Sequence, residues 1–155
     1  MGYNPSRFKD PERPVETVSF DEALSFCQKL TEIEQAAGTL PTGFHYALPT
    51  TEMWRRFVAN ARLEDAVTGR RMIRRSTEKV GTLGANRLGL YDVRGNVWEY
   101  CSDWYDAQRK WHAIRGGAFN SRNPKEWSID WRGGTVGPRS ADTGFRAVLA
   151  REQTS

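Results

Sequence analysis

The chain has 155 residues, with 23 basic and 19 acidic side chains, and 38% of its residues are hydrophobic. This length fits one domain over residues 1–155, and no stretch approaches the roughly 18 consecutive apolar residues of a membrane-spanning helix. Basic and acidic residues are interspersed except in the arginine-rich run 70–75, which we interpret as a solvated loop and not as a nucleic-acid site.

Two amphipathic helices are predicted in the N-terminal part of the chain. Ser19 and Glu22 have capping-box spacing, and the apolar residues that follow recur at helical intervals until Gly38 ends the helix. Thr50 is the expected N-cap of the second helix. The apolar face of this second helix consists of Met53, Trp54, Phe57, Val58 and Ala61. Both faces are expected to pack on the core.

Beyond residue 66 the helical spacing disappears, and short aromatic runs alternate with turn residues. Residues 97–101, 112–115 and 144–149 are predicted as short strands. Residues 120–143 are predicted as a long polar loop, a type of segment that is often functional in a small domain. Together these patterns predict an α+β fold with two N-terminal helices, short antiparallel strands and long irregular loops.

Cys27 lies within an amphipathic helical pattern and Cys101 within an aromatic strand-like run, and the two lack the spacing of zinc ligands. They are interpreted as buried small apolar residues, and a disulfide between them stays open. The two histidines, His45 and His112, are expected to have structural roles. No nucleophile-elbow motif surrounds Ser102, which argues against a serine hydrolase.

Several motifs, in chain order, resemble those of the formylglycine-generating enzyme family, also called the sulfatase-modifying factor family. Residues 48–54 resemble its LPTEAEW motif, and residues 89–100 read GLYDVRGNVWEY where the family has GLYDMxGNVWEW. Residues 115–119 read RGGAF, similar to RGGSW, and residues 144–146 read GFR. The resemblance spans nearly the whole chain and implies a C-type-lectin-like fold.

Some members of that family are copper-dependent oxidases that convert a sulfatase cysteine to formylglycine, and others are binding domains. The oxidases hold Cu(I) through two cysteines shortly after the RGGSW-like motif. Here Ser121 and Glu126 align with those cysteines, and no cysteine follows Cys101. Because hard oxygen ligands do not replace a thiolate pair around Cu(I), we expect no copper site and no catalytic residues.

The resemblance therefore favours a non-catalytic, lectin-like module that binds a protein or peptide. Its expected surface is the 120–143 loop, where aromatic anchors lie beside adaptable polar groups. The candidate ligand-binding residues are Asn120, Ser121, Arg122, Asn123, Trp127, Asp130, Trp131 and Arg132. For each tryptophan the alternative is burial as an anchor of the loop. The alternative function is a family oxidoreductase that uses a different site or a missing partner segment.

The resemblance also implies a calcium site at the GLYD turn. Side-chain oxygens would come from Asp92 and Glu99, and backbone carbonyls from Gly95 and Val97, a ligand set that suits Ca²⁺. The alternative is that Asp92 caps the turn and Glu99 pairs with an arginine.

Members of the family usually have a further N-terminal section before the motif that residues 4–9 resemble. Without it, an open sheet edge and an uncovered apolar patch are expected, which favours self-association or a complementing chain. The first residues lack the apolar core of a signal peptide, so the chain as it stands has a cytoplasmic pattern and its localisation is unassigned.

Overall fold

Both predicted helices are present in the computed structural model, which describes residues 2–70, 72–131, 133–135 and 139–152. Helix α1 (Phe20–Ala36) begins with the predicted capping box: the Ser19 hydroxyl accepts from the Glu22 N–H at 3.2 Å, and the Glu22 carboxylate accepts from the Ser19 N–H at 2.7 Å. Helix α2 (Thr51–Val58) is capped by the Thr50 hydroxyl.

The described strands form two small sheets. They are β1 (Phe44–Ala47), β2 (Trp98–Trp104), β3 (His112–Arg115), β4 (Gly133–Gly134), β5 (Thr143–Gly144) and β6 (Val148–Arg151). In the larger sheet the order is β4-β3-β2-β5, and in the smaller one β1 pairs with β6. All pairs are antiparallel except β2 with β5.

Residues 112–115 form the predicted strand, whereas the prediction of one strand over 144–149 was wrong. That stretch contributes to two strands in different sheets: β5 runs beside β2, and β6 pairs with β1. The break follows Gly144, where a Cβ atom would overlap the Val15 carbonyl, so only glycine allows the N-terminal segment to pass this close. Strand β1 had no sequence prediction.

The core consists of two clusters of buried side chains. One lies between α1 and the larger sheet and includes Trp98 and Tyr100, and the other surrounds Trp54 of α2 and includes Cys101. Cys27 and Cys101 are both buried and free, which resolves the open question of a disulfide. The fold is a mixed α+β arrangement, and the C-type-lectin-like label stays a prediction.

Candidate functional site

The 120–143 loop is clamped to the body of the protein by Arg115, at the end of β3. The guanidinium donates to the backbone carbonyls of Ile129 and Trp131, both at 2.5 Å, and lies 4.7 Å from the centre of the Trp54 ring. Arg115 is 2% exposed, so these charge-assisted bonds are shielded from water and stronger than surface ones. Residues 129–131 of the loop are therefore tied to the body of the protein.

A second anchor of the loop is Trp127, which is 1% exposed and ends a short 3-10 helix (Pro124–Trp127). Its indole lies directly against Gly117, where a Cβ atom would be 2.5 Å from the ring carbon Cδ1. Gly117 also has a φ of +76°, a conformation that favours glycine. The RGG motif thus supplies the arginine clamp together with the glycine on which Trp127 packs.

The predicted recognition residues divide into a buried and an exposed group. Ser121 and Trp127 are buried and therefore not part of an exposed surface, while Trp131 is half-buried and packs against Trp98, with ring centroids 5.3 Å apart. Arg132 lies outside the described residues. The exposed residues are Asn120, Arg122, Asn123 and Asp130.

Several of the exposed side chains also hold the loop in place. Asp130 pairs with Arg55 of α2, and the Asn120 amide donates to Asp142 at 2.9 Å. Asn123 caps the 3-10 helix by accepting from the Lys125 N–H at 3.0 Å. Ligand contact is therefore open chiefly to Arg122, for which the structure gives no hydrogen bond or ion pair within the described residues.

The two positions that align with the copper cysteines have oxygen-bearing side chains in structural settings. The Ser121 hydroxyl accepts from the Ala118 N–H at 3.0 Å and closes the turn after the RGG motif. One carboxylate oxygen of the half-buried Glu126 is buried and has no hydrogen-bond partner among the described residues. Burial raises the pKa of both cysteine thiols, Cys27 and Cys101, so they are protonated at neutral pH.

The structure brings the two predicted calcium carboxylates, Asp92 and Glu99, to one cleft of about 380 Å³. Each carboxylate has one oxygen with a partner: Asp92 accepts from the Gly81 N–H at 2.8 Å, and Glu99 from Arg146 at 2.7 Å. The second oxygen of each carboxylate is buried and has no hydrogen-bond partner within the part of the chain that the structure describes.

In the turn between Asp92 and Glu99, the backbone passes very close to that of Val67. Asp92 and Asn96 have positive φ angles of 53° and 62°, and a Cβ on Gly95 would overlap the backbone of Val67. Burial raises the pKa of the Asp92 carboxyl, although the Gly81 N–H and Arg146 oppose this change. No three His, Cys, Asp or Glu side chains come together as a metal-binding group in the described ranges.

Sequence reasoning did not assign roles to the arginines that organise both regions. Arg115 holds the loop, and Arg146 joins Glu99 to the Tyr91 carbonyl, which it contacts at 2.9 Å. The sequence contained a signal for both arginines, because Arg115 lies in the RGGAF motif and Arg146 in the GFR motif. The predicted alternative for Glu99, an arginine partner, is what the structure contains.

Comparisons with known proteins place these features in a family. The model of the family described as "Sulfatase-modifying factor enzyme 1-like domain" matches residues 1–151. The "Chaperone protein LppX" of Paenibacillus barcinonensis is 26% identical over an alignment of 212 positions, which covers 97% of this chain and 75% of that protein. The formylglycine-generating enzyme of Mus musculus is 30% identical over 132 residues, covering 72% of this chain and 32% of the enzyme.

A solved structure supports the same fold. The chain is similar to that of "Treponema denticola variable protein 1", with a TM-score of 0.80 and 23% identity, over 97% of this chain and 78% of that one. In the described ranges, none of the helices is both long and apolar enough to cross a membrane.

Proposed function

The chain belongs to the sulfatase-modifying factor enzyme 1-like domain family, and we propose that in this family it is a protein- or peptide-binding module and not a copper oxidase. The observation that carries the proposal is Ser121. This serine stands where the oxidases have a copper ligand, and its buried hydroxyl is already used to close a turn. The two cysteines that the chain has are buried elsewhere in the core.

The contacts that hold residues 120–131 of the loop to the body of the protein support a role in recognition. Because Arg115 and Trp127 already hold the loop, binding a ligand does not require the loop to be ordered first. The relative LppX is described as a chaperone protein, which supports a protein as the ligand class. The exposed Arg122 would then provide the main polar contact, with the exposed Asn120, Asn123 and Asp130 beside it.

A peptide-display selection tests this function. A random peptide library is selected on the immobilised wild-type protein, and the enriched peptides are then measured on Arg122→Glu and on a control, Arg109→Glu. Both arginines are exposed, and Arg109 lies in the β2–β3 connection. We expect Arg122→Glu to weaken binding by about tenfold or more, and Arg109→Glu to leave it unchanged. Failure to enrich any peptide, or equal binding to both variants, would contradict the proposal.

An oxidoreductase remains the second candidate, because the mouse formylglycine-generating enzyme is 30% identical over 72% of this chain. The chain spans 32% of that enzyme's length, so the enzyme's activity does not transfer to it directly. Such an activity would need a different metal site, without the aligned Ser121 and Glu126 as thiolate ligands, or a further segment. Copper binding therefore tests the copper-dependent form of this second candidate.

We also propose that the turn at Asp92 binds calcium. One buried carboxylate oxygen each of Asp92 and Glu99 has no hydrogen-bond partner among the described residues, which supports this site because a buried acceptor without a partner is costly unless something compensates it. With the Gly95 and Val97 carbonyls they form a hard oxygen set. A bound calcium ion would stabilise the turn by linking these oxygens to one another.

Thermal unfolding of chelator-treated protein tests the calcium site. Calcium at about a hundredfold over its Kd should raise the Tm by about 5–10 °C in the wild type. Asp92→Asn with Glu99→Gln should abolish the rise, and Glu52→Gln, an exposed carboxylate on α2, should keep it. No shift in the wild type would remove the site.

Self-association or a complementing chain stays a prediction. A cleft of about 490 Å³ beside Tyr3, Phe26 and Phe145 is the surface that such a partner would cover. Light scattering over a range of concentrations tests it: a mass that stays that of a single chain would contradict self-association.

A further inference from the structure

The arginine-rich segment between Gly69 and Thr77 is a loop that is fixed at both ends. At one end the Gly69 N–H donates to the Ser121 carbonyl at 2.9 Å. At the other end Thr77 is fully buried, and Glu78 exchanges two hydrogen bonds with the Asn96 side chain, at 3.0 and 3.1 Å. The described residues between these anchors, Arg70 and 72–76, therefore belong to a short loop that is tied down at both ends.

The centre of this loop has two adjacent apolar side chains in water. Met72 is 60% exposed, and Ile73, at 69%, is the most exposed large hydrophobic side chain among the described residues. Single exposed apolar residues are ordinary on protein surfaces, but two neighbours at the tip of an anchored loop form a local apolar knob.

Cations flank this apolar knob on both sides. Arg70 and Arg75 are exposed, and Arg74 pairs with Glu78 at 2.6 Å. Arg71 adds a positive charge in the sequence and lies outside the described residues. The segment 70–75 contains no acidic residue. Arg122 extends the basic surface, since its Cγ would lie 3.3 Å from a Cβ at Gly69.

We propose that the described residues of this loop, Arg70 and 72–75, form a membrane-docking surface for a bilayer with anionic lipids. Met72 and Ile73 enter the boundary between headgroups and acyl chains, while the flanking arginines bind lipid phosphates in the headgroup layer. An anionic bilayer matches both parts of the loop: its acyl chains are an apolar environment for the knob, and its phosphates are negative partners for the flanking arginines. An acidic peptide would pair with the arginines but would not account for the two exposed apolar side chains of the knob.

Vesicle co-sedimentation tests the proposal. The full chain is mixed with phosphatidylcholine vesicles that contain about 30 mol% phosphatidylserine, and with pure phosphatidylcholine vesicles, at about 0.1 M salt. Wild type should bind the anionic vesicles only. Arg70→Gln with Arg75→Gln should weaken binding by about thirtyfold, which corresponds to about 1 kcal/mol for each arginine. The control Arg109→Gln with Lys110→Gln removes two charges from the β2–β3 connection and should leave binding within about twofold.

A second readout reports insertion of the knob itself. Because the native cysteines are buried, a dye that senses its environment can be attached selectively to Ile73→Cys, or to Ile33→Cys on the exposed face of α1 as a control. Anionic vesicles should shift the emission of the dye at position 73 to the blue, and that at position 33 should not shift.

Met72→Ser with Ile73→Ser distinguishes docking from simple anion binding. We expect this variant to lose most of its binding to anionic vesicles while all arginines remain. Binding that survives it, with no emission shift at position 73, would show a basic patch that attracts anions of any kind and would overturn the proposal. Absence of wild-type binding to anionic vesicles would also overturn it.

Discussion

Replacement of Arg115 by lysine tests the claim that this side chain holds the 120–143 loop in place. The guanidinium makes two buried bonds, to the Ile129 and Trp131 carbonyls, and lies over Trp54. Charge-assisted hydrogen bonds contribute about 1.5–3 kcal/mol each, and a shielded cation–π contact contributes about 1 kcal/mol. A lysine ammonium is a point charge without the planar fork, so it would keep one of the two bonds at most. We expect a loss of about 2–4 kcal/mol in the free energy of unfolding.

Urea unfolding, followed by tryptophan fluorescence, measures this loss. With a typical slope of about 2 kcal/mol per molar urea, the midpoint of Arg115→Lys should fall by about 1–2 M. The matched control is Arg151→Lys, because Arg151 also lies over a ring, that of Phe44, but is exposed. The free energy of unfolding of this control should stay within about 0.5 kcal/mol of the wild-type value. An equally small change in Arg115→Lys would refute the role of the clamp.

Two further predictions concern a half-buried histidine and a tight turn. His112 lies between the rings of Phe20 and Trp104, and burial lowers its pKa. Protonation therefore favours the unfolded chain, so the free energy of unfolding should fall as pH drops from about 7 to 5. Urea unfolding at several pH values should show a smaller fall in His112→Phe, and equal falls would contradict the assignment. Gly95→Ala should lower the free energy of unfolding by at least about 3 kcal/mol, because the new Cβ would overlap the Val67 backbone and φ is positive at this position. Gly38 also has a positive φ, but a Cβ there would meet open space, so Gly38→Ala should lower the free energy of unfolding by about 1 kcal/mol. Comparable losses in the two glycine variants would contradict the overlap.

The sequence was most informative where structure depends on neighbouring residues. The capping box at Ser19 and the N-cap at Thr50 are local arrangements, and the structure has both. The strand predicted over residues 144–149 was wrong because the two ends of this stretch pair with strands that are distant in the sequence, β5 with β2 and β6 with β1. Strand β1 was missed for a related reason: its four residues pair with β6, more than a hundred residues later in the chain.

The sequence pattern did not predict which of the candidate site residues are exposed. The aromatic and polar pattern located the 120–143 loop, but it could not separate the buried Trp127 from the exposed Arg122. That separation depends on Gly117, whose missing side chain makes room for the indole. The run 70–75 was interpreted only as a solvated loop, since periodicity alone does not reveal that Met72 and Ile73 project from an anchored base.

Anaerobic titration with Cu(I), in competition with a chromophoric Cu(I) chelator, tests the central claim most directly. The titrated protein is then given oxygen and a cysteine-containing peptide, and oxygen uptake is measured. Because Ser121 and Glu126 offer oxygen where copper needs thiolates, and because the pKa of each buried thiol is raised, the protein should not take copper from the chelator and should consume no oxygen. Tight, stoichiometric copper binding followed by oxygen-dependent oxidation of the peptide would contradict the account and identify the chain as an oxidase.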